Sequence, residues 1–470
     1  MLGQRIQELI KEAKIIRNDI SKWRRRNIPD TTFIFILSFI IGILSGLGAS
    51  CLRGLIVLVT KLLTSSLEAS HIGYILLILP LIGILLSSVY SRYIAKDDMS
   101  HGTEKIIRLI KKRDFRLKRN LTYSPIIGCS LTLGFGGSAG AEGPIAYSGA
   151  AIGSNIGQAF GVSPRLMMIL IGCGAAGAIS GIYKAPIGGM LYALEVLKVE
   201  MSTVSVVAMM MTCLISAMVS YSLSGFNVDV QFDQLRAFEP SVIPLVLLMG
   251  VFCGLYSFYY FGIMRYIDGK LRAIKNHWAK NIIAGTALSA FIFLFPALYG
   301  EGFGSMTKVL ADNVSSITYC SLYYHYHGDT ITLLLVLTGM ILVKAVCAGL
   351  TNSGGGVSGD FTPTLFAGCM AGLLFAMFSN YVFGTHLDAA NFALMGMAGV
   401  MAGVIRAPLM AIFLTTELTG NLGLLVPITI TASLSFCIVK ICMKAPFFQS
   451  AYVSAHLDEP LSADSNQSSE

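Results

Sequence analysis

Long apolar segments constrain the fold of this chain more than any other feature of its sequence. A helix needs roughly 20 apolar residues to cross a bilayer, and six segments come close to that length. They are 33–60, 72–90, 204–223, 282–299, 333–350 and 424–442. Of the 470 residues, 54% are hydrophobic and only 13% are charged, whereas a soluble domain carries about 25% charged residues. The sequence therefore predicts an all-α membrane protein that crosses the bilayer several times.

Basic residues are concentrated between the apolar segments and indicate how the chain is oriented. The net charge is +8, and the basic clusters lie at 24–26, 111–119 and 265–280. Because basic loops stay on the cytoplasmic side, we expect these clusters to face the cytoplasm below a plasma (inner) membrane. Residues 1–30 fit an amphipathic helix on that surface. The acidic segment 226–240 is expected on the opposite side, and the polar tail 457–470 is predicted to be disordered.

The sequence offers little support for chemical sites other than an ion pathway. The ten cysteines are scattered, mostly within apolar segments, and no two form a CxxC pair. Isolated buried cysteines usually serve as small apolar side chains, so we expect neither a metal site nor a disulfide framework. No cluster of nucleophilic or metal-binding residues suggests an enzyme. We therefore expect a transport protein that needs no cofactor and binds no nucleic acid.

A sequence repeat divides the membrane part into two related halves, 31–225 and 241–456. Segment 174–195 matches segment 396–417 without a gap. The identical pairs are Gly174/Gly396, Ala176/Ala398, Gly177/Gly399, Gly181/Gly403, Ala185/Ala407, Pro186/Pro408 and Glu195/Glu417. Each copy predicts a helix rich in small residues, a short break, and a second helix with proline in its first turn, where proline is tolerated. Chance recurrence is the plain alternative, and the unbroken register argues against it.

A second pair of matched segments precedes these helices. Residues 140–144 read Gly-Ala-Glu-Gly-Pro, and residues 359–363 read Gly-Asp-Phe-Thr-Pro. Each segment places glycine just before an apolar stretch, which predicts a helix that begins inside the membrane. Two related halves with broken helices near the membrane centre are typical of secondary transporters.

The predicted helix starts at Glu142 and Phe361 together suggest an anion site. A helix that begins inside the bilayer directs free N–H groups and the positive end of its dipole at the cavity before it. It can therefore bind an anion without a basic side chain. Ionised, Glu142 can occupy that site itself, and protonated, it can leave, which would make it a gate. The plain alternative is a carboxylate that only caps its own helix, and the matched start at Phe361 favours the gate.

These segments resemble the CLC family of chloride channels and proton/chloride exchangers, over nearly the whole membrane part. Segment 140–144 is similar to the family's G(K/R)EGP motif, and segment 359–363 is similar to its GxFxP motif. The resemblance implies an inverted repeat of tilted and broken transmembrane helices. It also implies a homodimer with one pore in each subunit and both termini in the cytoplasm.

The resemblance further implies which residues form the pore. The backbone N–H groups of Asp360 and Phe361 would hold the central anion, with Gly140 and Gly143 in the same site. Glu142 would be the outer gate. The implied substrates are chloride or other small anions, together with protons if the protein is an exchanger.

Several positions depart from the family pattern. The family's GSGIP motif, whose serine contacts chloride, is incomplete here, and either Ser100 or His101 could take that role. Ala141 replaces the basic residue beside the gate, and Phe448 stands where the family has a pore tyrosine. Asp360 occupies a position that is usually apolar. It either caps its own helix or faces the ion, where it would repel chloride unless protonated, and we expect the cap.

One position bears on whether a family member is an exchanger or a channel. It holds a second glutamate, on the cytoplasmic side, that carries protons. Exchangers often carry this glutamate directly after the position that matches Glu195, and this chain has Val196 there. Adjacent residues on a helix point about 100° apart, so we expect Glu195 to be structural, like Glu417. These residues favour passive, gated conduction. The alternatives are proton/chloride exchange through an altered inner relay, and a solute symporter, which the two anion-site motifs disfavour.

Overall fold

The computed structural model describes residues 28–64, 77–225, 239–310, 330–420 and 422–443. Four of the sequence predictions fall largely outside these ranges. They concern the amphipathic helix within 1–30, the linker 226–240, the tail 457–470 and the pore position of Phe448.

The first half of the chain forms helices α1 to α8. Their bounds are α1 Asp30–Thr64, α2 Leu79–Val89, α3 Gly102–Lys112, α4 Ser124–Gly134, α5 Glu142–Phe160, α6 Pro164–Tyr183, α7 Pro186–Leu191 and α8 Thr203–Ser224. A π-helical turn, Tyr90–Ala95, continues α2, and another, Tyr192–Val196, continues α7.

The second half forms helices α9 to α16. Their bounds are α9 Ile243–Arg272, α10 His277–Leu294, α11 Phe303–Leu310, α12 Thr330–Ser353, α13 Phe361–Phe383, α14 Ala389–Ile405, α15 Pro408–Thr419 and α16 Leu425–Met443. Within the described ranges, the β-type pairing is limited to one bridge between Gly140 and Gly359. The predicted all-α class is therefore confirmed.

Seven of the described helices are long and apolar enough to cross a membrane, namely α1, α6, α8, α9, α12, α13 and α16. The apolar stretches of α6 and α13 are 94% and 78% buried within the protein, whereas those of α9 and α16 are 39% and 33% buried. Helices α6 and α13 therefore form the centre. The predicted apolar segment 282–299 is not a single helix, because α10 ends at Leu294. Pro296 lacks an N–H and disfavours a helical conformation of the residue before it.

Helices α5 and α6 pack through glycine contacts, and α13 and α14 repeat this arrangement in the second half. A methyl group on Gly149 would overlap the carbonyl oxygen of Gly174, and one on Gly368 would overlap that of Gly396. Small residues allow this close approach of two helix backbones. The glycines that match in the sequence repeat therefore mark equivalent helix pairs.

The predicted breaks between the repeated helices end in left-handed residues. Lys184 has a φ of 55° and Arg406 a φ of 62°. Each of them ends its helix, and a proline then starts the next helix at Pro186 or Pro408. Proline suits this position because a first-turn N–H has no partner within the helix.

Two glutamates join these helix starts across the two halves. The Glu195 carboxylate accepts the N–H groups of Leu409 at 3.3 Å and Met410 at 2.8 Å, at the start of α15. In return, the Glu417 carboxylate accepts two N–H groups at the start of α7, at 3.0 and 2.8 Å. Each carboxylate thus satisfies free N–H groups and lies at the positive end of a helix dipole. This geometry agrees with the structural role expected for both glutamates.

Removal of the Glu417 carboxylate should lower the stability of the folded protein. Glu417→Ala leaves two N–H groups without an acceptor, and each unsatisfied buried group costs about 1–3 kcal/mol. We expect a lower midpoint of thermal unfolding in detergent than for Glu417→Gln, which keeps an acceptor oxygen. Glu200→Ala is the control, because this exposed glutamate only approaches Arg165 to 3.9 Å. Equal midpoints for Glu417→Ala and the parent protein would contradict the capping role.

Candidate functional site

The loops before α5 and α13 are held together by two backbone hydrogen bonds. The Gly140 N–H donates to the Gly359 carbonyl at 2.9 Å, and the Gly359 N–H donates to the Gly140 carbonyl at 2.7 Å. This pairing places the start of α5 at Glu142 beside the start of α13 at Phe361. The two helix starts that match in the sequence are therefore adjacent in space.

The Glu142 side chain extends from the start of α5 to the start of α13. It is only 1% exposed. Its Oε1 accepts the backbone N–H of Phe361, and its Oε2 accepts the hydroxyls of Thr362 at 3.1 Å and Tyr183 at 3.2 Å. The N–H groups at a helix start carry a partial positive charge. The carboxylate therefore lies where the sequence predicts an anion.

Tyr183 and Thr362 are site residues that the sequence reasoning does not single out. Their hydroxyl oxygens lie 2.8 Å apart, and both contact Glu142. Tyr183 is the last residue of α6, and Thr362 is the second residue of α13. Each position directly adjoins a helix break, which is the only sequence signal that could have pointed to them.

Glycines leave room for the Glu142 carboxylate. A methyl group on Gly140 would overlap a carboxylate oxygen, and one on Gly359 would lie 2.5 Å from Oε1. A methyl group on Gly143 would lie 3.2 Å from a backbone carbonyl oxygen of the loop before α13. Gly140 and Gly143, both predicted as anion-binding, thus form the wall of the site, while α13 supplies the N–H donor.

Aromatic packing connects α3 to the same site. The ring of Tyr192 meets the ring of Phe361 edge to face, with centroids 5.6 Å apart. The Tyr192 hydroxyl lies 3.2 Å from Oγ1 of Thr103. A methyl group on Gly102 would lie 2.5 Å from the Gly143 carbonyl oxygen. The start of α3 is therefore packed directly against α5, the helix that begins at Glu142.

A cavity of about 740 Å³ lies between α2, α3, α9, α10 and α12. We call it the basic cavity, because its basic side chains outnumber its acidic ones. The basic ones are Arg92, Lys96, Lys105, Arg108, Arg272 and Lys280, and the acidic ones are Asp97, Asp98, Glu104 and Asp268. Such a surplus raises the local concentration of anions. Part of the lining comes from segment 265–280, which the sequence predicts to be cytoplasmic.

Ser100 and His101 both line the basic cavity. The Ser100 hydroxyl donates to Oδ1 of Asp98 at 2.7 Å, and Asp98 also pairs with Lys105 at 3.1 Å. His101 has a left-handed φ of 53° just before α3. Among the described contacts, neither candidate bonds to Glu142. The structure therefore places both candidates in the lining of the basic cavity rather than at the carboxylate.

The prediction that the Asp360 side chain caps its own helix is wrong. Asp360 is the N-cap residue of α13, but its carboxylate accepts no N–H group of that helix. Instead, its Oδ1 accepts Nδ2 of Asn352, and the Asn352 amide oxygen accepts the Ser358 hydroxyl. Asn352 lies near the end of α12 and lines the basic cavity. Because Ser358 holds the Asn352 amide in place, that amide takes the carboxylate away from the helix N–H groups.

The position predicted for an inner proton relay has an apolar side chain. Val196 ends the π-helical turn after α7 and carries no ionisable group. The neighbouring Glu195 uses both carboxylate oxygens to cap α15. The structure thus leaves no free carboxylate at either residue.

Comparison with known proteins shows which family this chain belongs to. The family model described as voltage gated chloride channel matches residues 82–440. The H(+)/Cl(-) exchange transporter ClcA of Klebsiella pneumoniae is 27% identical over 314 residues, which cover 65% of this chain and 63% of the relative. ClcA of Vibrio vulnificus is 26% identical over 326 residues, which cover 67% of this chain and 66% of the relative. The match thus spans just under two thirds of the length of these relatives.

Solved structures share the fold at lower sequence identity. A slow cyanobacterial Cl-/H+ antiporter aligns with a TM-score of 0.72 and 19% identity, covering 90% of this chain and 97% of that structure. A CLC-type fluoride/proton antiporter aligns with a TM-score of 0.69 and 22% identity, covering 87% and 96%. The shared fold and the match to the family model both extend over most of the chain. This chain therefore belongs to the CLC family of voltage gated chloride channels.

Proposed function

We propose that this chain carries chloride and similar small anions across a membrane, through a site at the start of α13 that Glu142 closes. The observation that supports this most directly is the hydrogen bond from the Phe361 N–H to the Glu142 carboxylate. The two ClcA relatives are named as H(+)/Cl(-) exchange transporters, which agrees with an anion of this kind.

The gate works by competition between the carboxylate and the anion. Both are monovalent and accept hydrogen bonds, so the same N–H group and hydroxyls stabilise both. A proton on Glu142 removes its charge and with it the charge-assisted part of these bonds, so chloride can take its place. The donors that hold Glu142 are themselves uncharged, and binding by such donors is weak enough to let an ion leave again.

The hydroxyls beside Glu142 can also accommodate its protonated form. Tyr183, Thr362 and the Oε2 atom of Glu142 make three close oxygen–oxygen contacts. The two hydroxyls have only two hydrogens, since each can donate one. A proton on Glu142 would supply the third hydrogen. Once one hydroxyl turns its hydrogen toward the other, the network can accept a proton on Glu142 with its oxygen atoms in place, as a titrating gate requires.

Passive conduction is the mode that Val196 and Glu195 favour. Val196 cannot carry a proton, and Glu195 is held at the start of α15 by two N–H groups. Proton/chloride exchange is the second candidate, because the relatives and the solved structures are named as exchangers and antiporters. A homodimer with one pore in each subunit fits either mode.

Replacement of the gate carboxylate should open the pathway at neutral pH. In liposomes with reconstituted protein, we expect Glu142→Gln to raise chloride efflux at pH 7.5 by about tenfold or more. The neutral amide gives up charge-assisted hydrogen bonds worth on the order of 1.5–3 kcal/mol, and about 1.4 kcal/mol is a factor of ten. The exposed Glu239 lies outside the site, and Glu239→Gln should leave the efflux unchanged. Unchanged efflux for folded Glu142→Gln would contradict the gate.

Proton movement distinguishes the two modes of transport. Liposomes loaded with potassium chloride are diluted into medium low in chloride, valinomycin is added to carry potassium, and the external pH is recorded. For passive conduction we expect chloride efflux at constant external pH, as in protein-free liposomes that receive a chloride ionophore. A rise in external pH that follows chloride efflux and is absent in Glu142→Gln would overturn passive conduction in favour of exchange.

A further inference from the structure

Asp360 lies between the two residues that surround the gate carboxylate. Its neighbour Phe361 donates an N–H to Oε1 of Glu142, and its neighbour Gly359 approaches the same oxygen so closely that a methyl group there would lie 2.5 Å away. The backbone of Asp360 is therefore part of the anion site. Since a side-chain carboxylate lies no more than about 5 Å from the N–H of the next residue, any charge on Asp360 lies within about 10 Å of an anion bound at Phe361.

The Asp360 side chain is directed toward the basic cavity. Its carboxylate accepts the Asn352 amide, and Asn352 lines that cavity. The next residue, Ser353, also lines the cavity and donates to Oδ1 of Asp268 at 2.9 Å. Asp360 thus lies between the anion site and the cavity from which protons and anions would arrive.

The groups that face Asp360 do not offset a negative charge. Its charged neighbours are the carboxylates of Glu142 on α5, Glu104 on α3 and Asp268 on α9. The Tyr260 phenol of α9 also faces it. Among the described residues, Asp360 forms no ion pair with a lysine, arginine or histidine. Its ionised form therefore has a neutral amide as its hydrogen-bond donor and three acidic neighbours.

The buried lysine of the neighbouring helix α12 does not change this balance. Lys344 is fully buried. It donates to the Ser138 hydroxyl at 2.8 Å, and its Nζ lies 4.7 Å from the centre of the Phe366 ring. Among the described contacts, Lys344 makes none to the Asp360 carboxylate. An ionised Asp360 would therefore repel a chloride ion in the site without compensation from this cation.

We propose that Asp360 is a second gating carboxylate, which binds a proton from the basic cavity and admits chloride to the site more readily in its protonated form than in its ionised form. This inference rests on the proposed function of Glu142 and adds a second titrating group to the same pathway. A full negative charge within about 10 Å weakens the binding of an anion by about tenfold or more at an effective dielectric constant of about 20. Acid would then activate transport even when Glu142 cannot ionise.

The test uses the Glu142→Gln background, in which the first gate no longer titrates. Chloride efflux from liposomes is compared at symmetric pH 7.5 and pH 4.5. We expect Glu142→Gln alone to be about tenfold or more faster at pH 4.5. With Asp360→Asn added, the efflux should be equally fast at both pH values, because the amide is neutral throughout. With Asp360→Glu added instead, the acid activation should return.

A matched control is Asp388→Asn in the same background. Asp388 is the N-cap of α14 and accepts the Asn391 N–H at 2.9 Å, and asparagine is an equally good N-cap. This variant should keep the acid activation. If Asp360→Asn does not yield protein that elutes as the parent does, Asp360→Ser replaces it and should show the same loss of pH dependence.

The outcomes separate this inference from the proposed function. If efflux at pH 7.5 is raised neither by Glu142→Gln nor by Glu142→Gln combined with Asp360→Asn, the proposed function of the site fails. If Glu142→Gln raises it, but the acid activation persists after Asp360→Asn or Asp360→Ser, only the role of Asp360 is overturned. An efflux in Glu142→Gln that does not depend on pH would likewise overturn it. Loss of acid activation in both neutral variants, with its return in Asp360→Glu, supports the second gate.

Discussion

The hydrogen bond between the Phe361 N–H and the Glu142 carboxylate joins the two halves of the protein at the point where both have a helix start. Burial of an ionised carboxylate away from water requires hydrogen bonds that replace its hydration. Here the start of α13 and two hydroxyls provide them. The surrounding features serve this contact, since the bridge between Gly140 and Gly359 aligns the two loops. The same glycines leave space for the carboxylate.

The protein uses carboxylates at helix starts in two different ways. Glu195 and Glu417 each accept two backbone N–H groups, which cannot move without unwinding a helix. Glu142 accepts one backbone N–H, and its other partners are hydroxyls of Tyr183 and Thr362, which can rotate. This difference in donors agrees with a structural role for Glu195 and Glu417 and with the gate proposed at Glu142.

A second distinction concerns how the protein handles charge near the site. The fully buried Lys344 is satisfied by the Ser138 hydroxyl and the face of the Phe366 ring, and a cation over an aromatic face is stabilised by the ring's quadrupole. Among the described residues, Asp360 has no such partner, and it receives one amide N–H from Asn352. The lysine is thus held by fixed partners, whereas the proposed second gate at Asp360 requires its carboxylate to exchange a proton with the cavity.

The sequence by itself determined the membrane class, the repeated halves and the two helix starts. Hydropathy, glycine and proline act locally, so a reader of the sequence can recognise them at Glu142 and Phe361 without a structure. It could not identify Tyr183 and Thr362, which are 179 positions apart and meet only after folding. It also mispredicted Asp360, because the cap rule considers only nearby N–H groups. Only the tertiary structure decided these contacts, because the packing of helices that are distant in sequence determines which donors lie within hydrogen-bond distance of each carboxylate.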